Sequence, residues 1–95
     1  MIYNNILLTV KNEADIENVR ELLIEQVTLS REEPGCVRFD LYHSREDRSL
    51  FILIEQWESQ ELLDAHRQAK SCQEVYIPKV LPLVERVPHP SDKVL

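Results

Sequence analysis

Apolar and polar residues alternate at the start of the chain. Ile6, Leu8 and Val10 fall on one side of an extended Ile2–Lys11 segment, and Asn5, Leu7 and Thr9 on the other; this two-residue period predicts a strand. The period then changes. Ile16, Val19, Leu23 and Val27 recur at helical spacing, with Glu17, Arg20, Glu21 and Glu25 outside. An amphipathic helix is predicted to about Arg31, opened by a capping pair of Asn12 and Asp15. Glu33-Pro34-Gly35 stops it. Gly35 is the one glycine present, so a special backbone angle is expected at that turn.

Cys36–Ser44 reads as a second strand, with Val37, Phe39 and Leu41 on one face and Arg38, Asp40 and Tyr42 on the other. The charged loop Arg45–Ser49 joins it to a third strand as a hairpin. In that third strand Phe51-Ile52-Leu53-Ile54 is apolar at every position. Neighbouring strand residues point to opposite faces, so such a run asks for a sheet covered on both sides. The helices of one short chain cover one side. An identical chain is the expected cover for the other, which predicts a homodimer through the sheet face and adds buried area to a modest core.

Ser59 caps a second helix bearing Leu62, Leu63, His66 and Ala69, and Ser71 with Glu74 reads as a further capping box. The helix it opens meets Pro78 and Pro82, which predict a kink or break. Pro88-His89-Pro90 ends it, and Ser91–Leu95 is a candidate last strand. Residues 1–95 read as one α+β domain, a ferredoxin-like split βαβ sandwich with helices on one face of an antiparallel sheet.

Composition narrows the partners. The formal net charge of −6 disfavours nucleic acid, which rewards basic surfaces. No apolar run has the length needed to cross a bilayer, so no membrane partner is expected. Met1-Ile2-Tyr3-Asn4-Asn5 lacks the basic start and apolar core of a signal peptide. A cytoplasmic chain with Cys36 and Cys72 as reduced thiols is expected. His43, His66 and His89 show no metal-ligand spacing with the cysteines, and one glycine makes no phosphate loop. No metal or cofactor is expected.

Four segments stand out together: Glu33-Pro34-Gly35-Cys36, Arg38-Phe39-Asp40-Leu41, Glu55-Gln56-Trp57-Glu58-Ser59 and Leu63-Asp64-Ala65-His66. At these intervals they resemble the antibiotic biosynthesis monooxygenase (ABM) family, over roughly Ile2–Val87. The resemblance implies a dimeric α+β barrel in which two sheets pack face to face. It implies oxygenation of quinols or polycyclic phenols without metal, flavin or haem, although relatives include isomerases of small phosphorylated sugar-like signals and haem-degrading enzymes. The chain also departs from the family's patterns. Leu53 stands where polyketide-oxidising members have an Asn, Ser71 and Cys72 where many have His and Phe, and Tyr76 where haem-degrading members have a His.

Cofactor-free oxygenation needs a dry pocket, a base near a phenol oxygen, and donors to hold the resulting anion. His66 is the candidate base, since an unperturbed imidazole titrates near pH ~6.5. Glu55 is placed to orient it or to hold a substrate donor, and Trp57 offers a flat wall and one N–H. Asn5, Arg38, Phe51 and Leu53 are the substrate-binding candidates, with His43 secondary. Structural roles compete for the same residues: His66 as a half-buried helix residue, Trp57 as core, Arg38 as a salt-bridge partner of Glu55 across the hairpin, and His89 as surface. A monooxygenase of a small aromatic quinol or phenol, using dioxygen, is the leading expectation. An isomerase of a small carbonyl compound and a non-catalytic binding dimer are the alternatives.

Overall fold

A computed structural model describes residues 1–95. Strands β1 (Ile2–Val10), β2 (Cys36–His43), β3 (Leu50–Trp57) and β4 (Val84–Ser91) form one antiparallel sheet in the order β2-β3-β1-β4. Helices α1 (Ile16–Arg31) and α2 (Gln60–Gln68), with a π-type helix over Ser71–Val80, lie on one face. This is the split βαβ arrangement, and the helical face holds the core. Leu8, Val19, Leu23, Phe51, Leu53, Trp57 and Val80 are fully buried there. On the opposite face Leu7, Ile52 and Ile54 are half-buried, and Tyr42 and Val87 are exposed. The two-sided apolar reading of β3 thus resolves into a packed inner face and an apolar outer one without helices.

Several local expectations hold. Asn12 accepts the Ala14 N–H at 3.0 Å at the start of a short 3-10 turn that leads into α1. Asp15 makes no side-chain cap bond. Ser59 caps α2 through the Leu62 N–H. Gly35 takes a positive φ of 82°, and a Cβ there would drive into the Leu62 side chain.

Three expectations are corrected. First, Val37 does not share a face with Phe39 and Leu41. A bulge between Cys36 and Arg38 lets Cys36 pair with Trp57 while Arg38 pairs with Gln56, and Val37 is left exposed. Second, Ser71 is not a helix cap. Its hydroxyl donates to Glu33 Oε2 at 2.5 Å instead. Third, the last strand begins at Val84 and includes Pro88 and Pro90 rather than starting after them. It is an edge strand on β1. The two prolines have the same strand parity, so their missing N–H groups fall on the free edge, where no ladder bond is lost. The segment expected to kink or break at its prolines instead runs through Pro78 as a π-type helix, in which the Leu81 N–H reaches back to the Tyr76 carbonyl, and passes at Leu81–Leu83 into a 3-10 turn that holds Pro82.

Candidate active site

The site forms where the turn after α1, the end of α2, the π-type helix and β3 converge under the helical layer. His66, on the buried side of α2, is 5% exposed. Its Nδ1 lies 2.5 Å from Glu33 Oε1. The second Glu33 oxygen accepts the Ser71 hydroxyl. A carboxylate only accepts, so this network assigns the proton to Nδ1 and leaves Nε2 as an acceptor. Nε2 faces Cys72 Sγ at 3.3 Å and Glu55 Oε1 at 3.9 Å, the latter beyond hydrogen-bond range. The ring packs against Trp57 (centroids 4.5 Å) and Phe39 (5.5 Å), which also touch each other.

Glu55 lies on β3 with its side chain on the helical face, 4% exposed. The Trp57 indole N–H donates to it at 3.0 Å. Burial raises the Glu55 carboxyl above its ordinary value, opposed by the indole N–H and by the nearby His66 and Arg86. Burial also pushes the Cys72 thiol up to about 11 and the Tyr76 hydroxyl up to about 12. Tyr76 accepts from Arg86 Nε at 3.0 Å.

His66, Glu55, Cys72, Tyr76 and Arg86 line a cavity of ≈ 270 Å³, which Trp57, fully buried, does not reach. Asn4, Ile6, Gln26, Glu55, His66 and Cys72 form its interior, and Arg67, Gln68 and Gln73 are exposed at its mouth. Two buried side-chain oxygens, Asn4 Oδ1 and Gln26 Oε1, have no hydrogen-bond partner. An unpaired buried amide oxygen costs on the order of 1–3 kcal/mol, so this wall is built for polar company. No group of three or more His, Cys, Asp or Glu side chains is arranged to hold a metal ion.

The structure brings together His66, Glu55 and Trp57. It does not bring the other candidates to them. Phe51 and Leu53 are sealed in the core beside the cavity rather than lining it. Asn5 and Arg38 lie on the outer face, where both border a separate hollow of ≈ 220 Å³ with Tyr3 and Gln56. Arg38 is exposed and bonds Asp40 at 2.6 Å, so it is not the partner of Glu55. His43 stacks on Phe51 at 4.0 Å, away from the cavity. His89 is exposed.

Glu33, Asn4, Gln26 and Cys72 were missed as site residues. Asn4 was legible, since it shares strand parity with Ile6, Leu8 and Val10. Gln26 was also legible, three residues after Leu23 on the inward arc of α1. Glu33 was hidden by its role in the turn signal, and Cys72 by the expectation of an ordinary helix.

The family profile described as "Antibiotic biosynthesis monooxygenase" matches residues 1–76. The chain belongs to the antibiotic biosynthesis monooxygenase family. Solved structures share its fold. A conserved protein of unknown function from Bacteroides thetaiotaomicron VPI-5482, named as a possible oxidoreductase, is similar at 28% identity and TM-score 0.87, covering 95% of this chain and 94% of that one. The protein Rv0793 from Mycobacterium tuberculosis is similar at 26% identity and TM-score 0.80, with both chains covered in full (100% each). The protein PA3566 from Pseudomonas aeruginosa, at 23% identity and TM-score 0.87 over 99% of this chain and 95% of that one, shares the fold. The chain has no match among curated proteins. Within the ABM fold the four-stranded sheet and its helical layer are therefore expected architecture, whereas the Glu33–His66–Cys72 grouping is read from this chain's own residues. No helix is long and apolar enough to cross a membrane.

Proposed function

We propose that this chain is a cofactor-independent monooxygenase of a small aromatic quinol or phenol. The observation that carries the reading is His66 Nε2 as a proton acceptor, its tautomer fixed by Glu33, beside the Cys72 thiol on the wall of a cavity sized for one substituted ring. In the first step a phenolic O–H proton passes to Nε2. The electron-rich anion then gives one electron to dioxygen, and the ring radical and superoxide combine at a ring carbon. Loss of water from the hydroperoxide leaves a hydroxyquinone, so a quinol and dioxygen yield the oxidised product and water. The wall suits this couple. A quinol presents O–H donors and a quinone presents acceptors, and the carboxamides of Asn4 and Gln26 can serve either.

The half-buried Leu7, Ile52 and Ile54 support a homodimer through the outer sheet face. The free cysteines Cys36 and Cys72 support a reducing compartment such as the cytoplasm. Oxygen uptake with a panel of small quinols tests the catalytic reading. Uptake above background, lost in His66→Ala, is the expected result, and background uptake with every quinol would refute it.

A second reading has its own support. Glu55 and His66 Nε2 lie 3.9 Å apart on one wall, and burial raises the Glu55 carboxyl above its ordinary value. A carboxyl and an imidazole so placed suit the movement of a proton between adjacent carbons of a carbonyl compound. Turnover undiminished under nitrogen would select this isomerase over the oxygenase.

A further inference from the structure

Cys72 is used by neither reading. Its sulfur lies 3.3 Å from His66 Nε2, and His66 Nδ1 is held by Glu33. A thiol, an imidazole and a carboxylate in series form the arrangement by which a base takes a proton from a nucleophile. Cys72 is 4% exposed overall, yet it lines the cavity. The unpartnered Asn4 and Gln26 carboxamides, 5% and 1% exposed, line the same space. The sulfur is therefore shielded from bulk solvent and open to whatever occupies the cavity.

We propose that Cys72 is a covalent capture site for single-ring α,β-unsaturated carbonyl compounds, quinones above all, with His66 as proton acceptor and Glu33 as positioning residue. The sulfur attacks a ring carbon conjugated to a carbonyl, and an S–C bond forms. The C=C pair moves to the carbonyl oxygen as the S–H proton passes to Nε2. That proton then goes to the oxygen, and loss of the ring C–H proton to the second carbonyl restores aromaticity. The product is a hydroquinone thioether: the two carbonyl carbons are reduced to phenol carbons, the ring carbon that gains sulfur and loses hydrogen is oxidised by the same two electrons, and the addition needs no other reactant. The new hydroxyls can donate to the open oxygens of Asn4 and Gln26. The resting thiol is neutral, since burial pushes it up to about 11, so reaction depends on a ring seated beside the imidazole rather than on a free thiolate. The inference rests on the cavity of the oxygenase reading and deepens it: a quinone formed there meets a nucleophile before it leaves, which makes turnover self-limiting.

The test supplies the quinone directly. Folded protein carrying Cys36→Ser is mixed anaerobically with 1,4-benzoquinone, and intact and peptide masses are followed. The expected result is a gain of one whole quinone on Cys72, at a rate that saturates with quinone concentration because binding precedes reaction. The adduct should be absent when Cys72→Ser is added. His66→Gln should slow it on the order of 100-fold, with folding checked by a cooperative thermal transition. If that variant does not fold, Glu33→Gln takes its place and should slow the adduct while leaving the saturating concentration unchanged. An adduct only after denaturation, or an unchanged rate in the folded His66 or Glu33 variant, overturns the proposal. Because no dioxygen or quinol turnover is involved, this outcome is independent of whether oxygen uptake is found.

Discussion

Glu33 and His66 meet at 2.5 Å although 33 residues separate them in the chain. One sits in the turn that ends α1, the other on the inward side of α2. Between them run a complete hairpin and the cap of a helix, so their meeting depends on the whole sheet being in register. The contact fixes the imidazole's tautomer and aims Nε2 at the cavity, which makes Glu33 the positioning residue of the site.

Glu33→Gln should therefore separate binding from chemistry. The amide still reaches Nδ1 but can present its NH2 there, favouring the wrong tautomer. Quinol oxidation should fall on the order of 100-fold in kcat with KM little changed. Exchanging a charge-assisted hydrogen bond for a neutral one should cost about 1 kcal/mol of stability. Steady-state oxygen uptake and urea unfolding measure the two effects. Equal kcat in the variant would remove Glu33 from the mechanism.

Glu55 makes stability depend on pH. Its carboxyl is raised above the ordinary value of 4.5 by burial. Between that value and its raised folded value, the folded chain holds a proton that the unfolded chain has released. The unfolded state thus binds fewer protons, and stability falls as pH rises through this window. Glu55→Gln keeps an acceptor for the Trp57 N–H and removes the charge. Its Tm relative to wild type should rise across the window and level off above it. A difference that stays constant with pH in scanning calorimetry would contradict the assignment.

Gly35 carries the turn that delivers Glu33. Its φ of 82° lies in the left-handed region, which costs an L-residue about 1–2 kcal/mol, and a methyl group there would press on Leu62. Gly35→Ala should destabilise the chain by at least about 2 kcal/mol, read from the urea midpoint. Activity of the folded fraction should fall too, because Glu33 is two residues away.

The outer sheet face should hold two copies together. Ile54 lies half-buried at its centre, opposite Asn5 and Asp40 in the adjoining strands. Ile54→Lys places a charge in the proposed interface, where an unpaired buried charge is costly. Sedimentation should show a wild-type dimer and a variant monomer at micromolar concentration. A wild-type monomer under those conditions would leave the outer face without its proposed partner.

Much of the site was legible in local pattern. The cap at Ser59, the inward arc of α1 and the alternation of β1 and β3 follow from side-chain direction within single elements, and together they place Glu55, Trp57 and His66 on the buried side. The misreadings fall where a residue's role is set by a distant neighbour. Ser71 has the spacing of a cap but finds Glu33 a better partner. Pro88 and Pro90 read as the end of a helix, but the free edge of a sheet accommodates residues without an N–H. Val37 follows the alternation of β2 until a bulge removes it from the inner face.

Periodicity and turn chemistry act over a few residues, so the chain alone determined its first three strands, its first two helices, the left-handed turn at Gly35 and the apolar character of both sheet faces. The sum of contacts far apart in sequence decided the rest: which strand lies at the edge, that Arg38 and Glu55 point to opposite sides, and that Glu33, His66 and Cys72 line up beside one cavity. Those outcomes depend on strand register and on how the π-type helix seats against the sheet, and neither is encoded in any short stretch of residues.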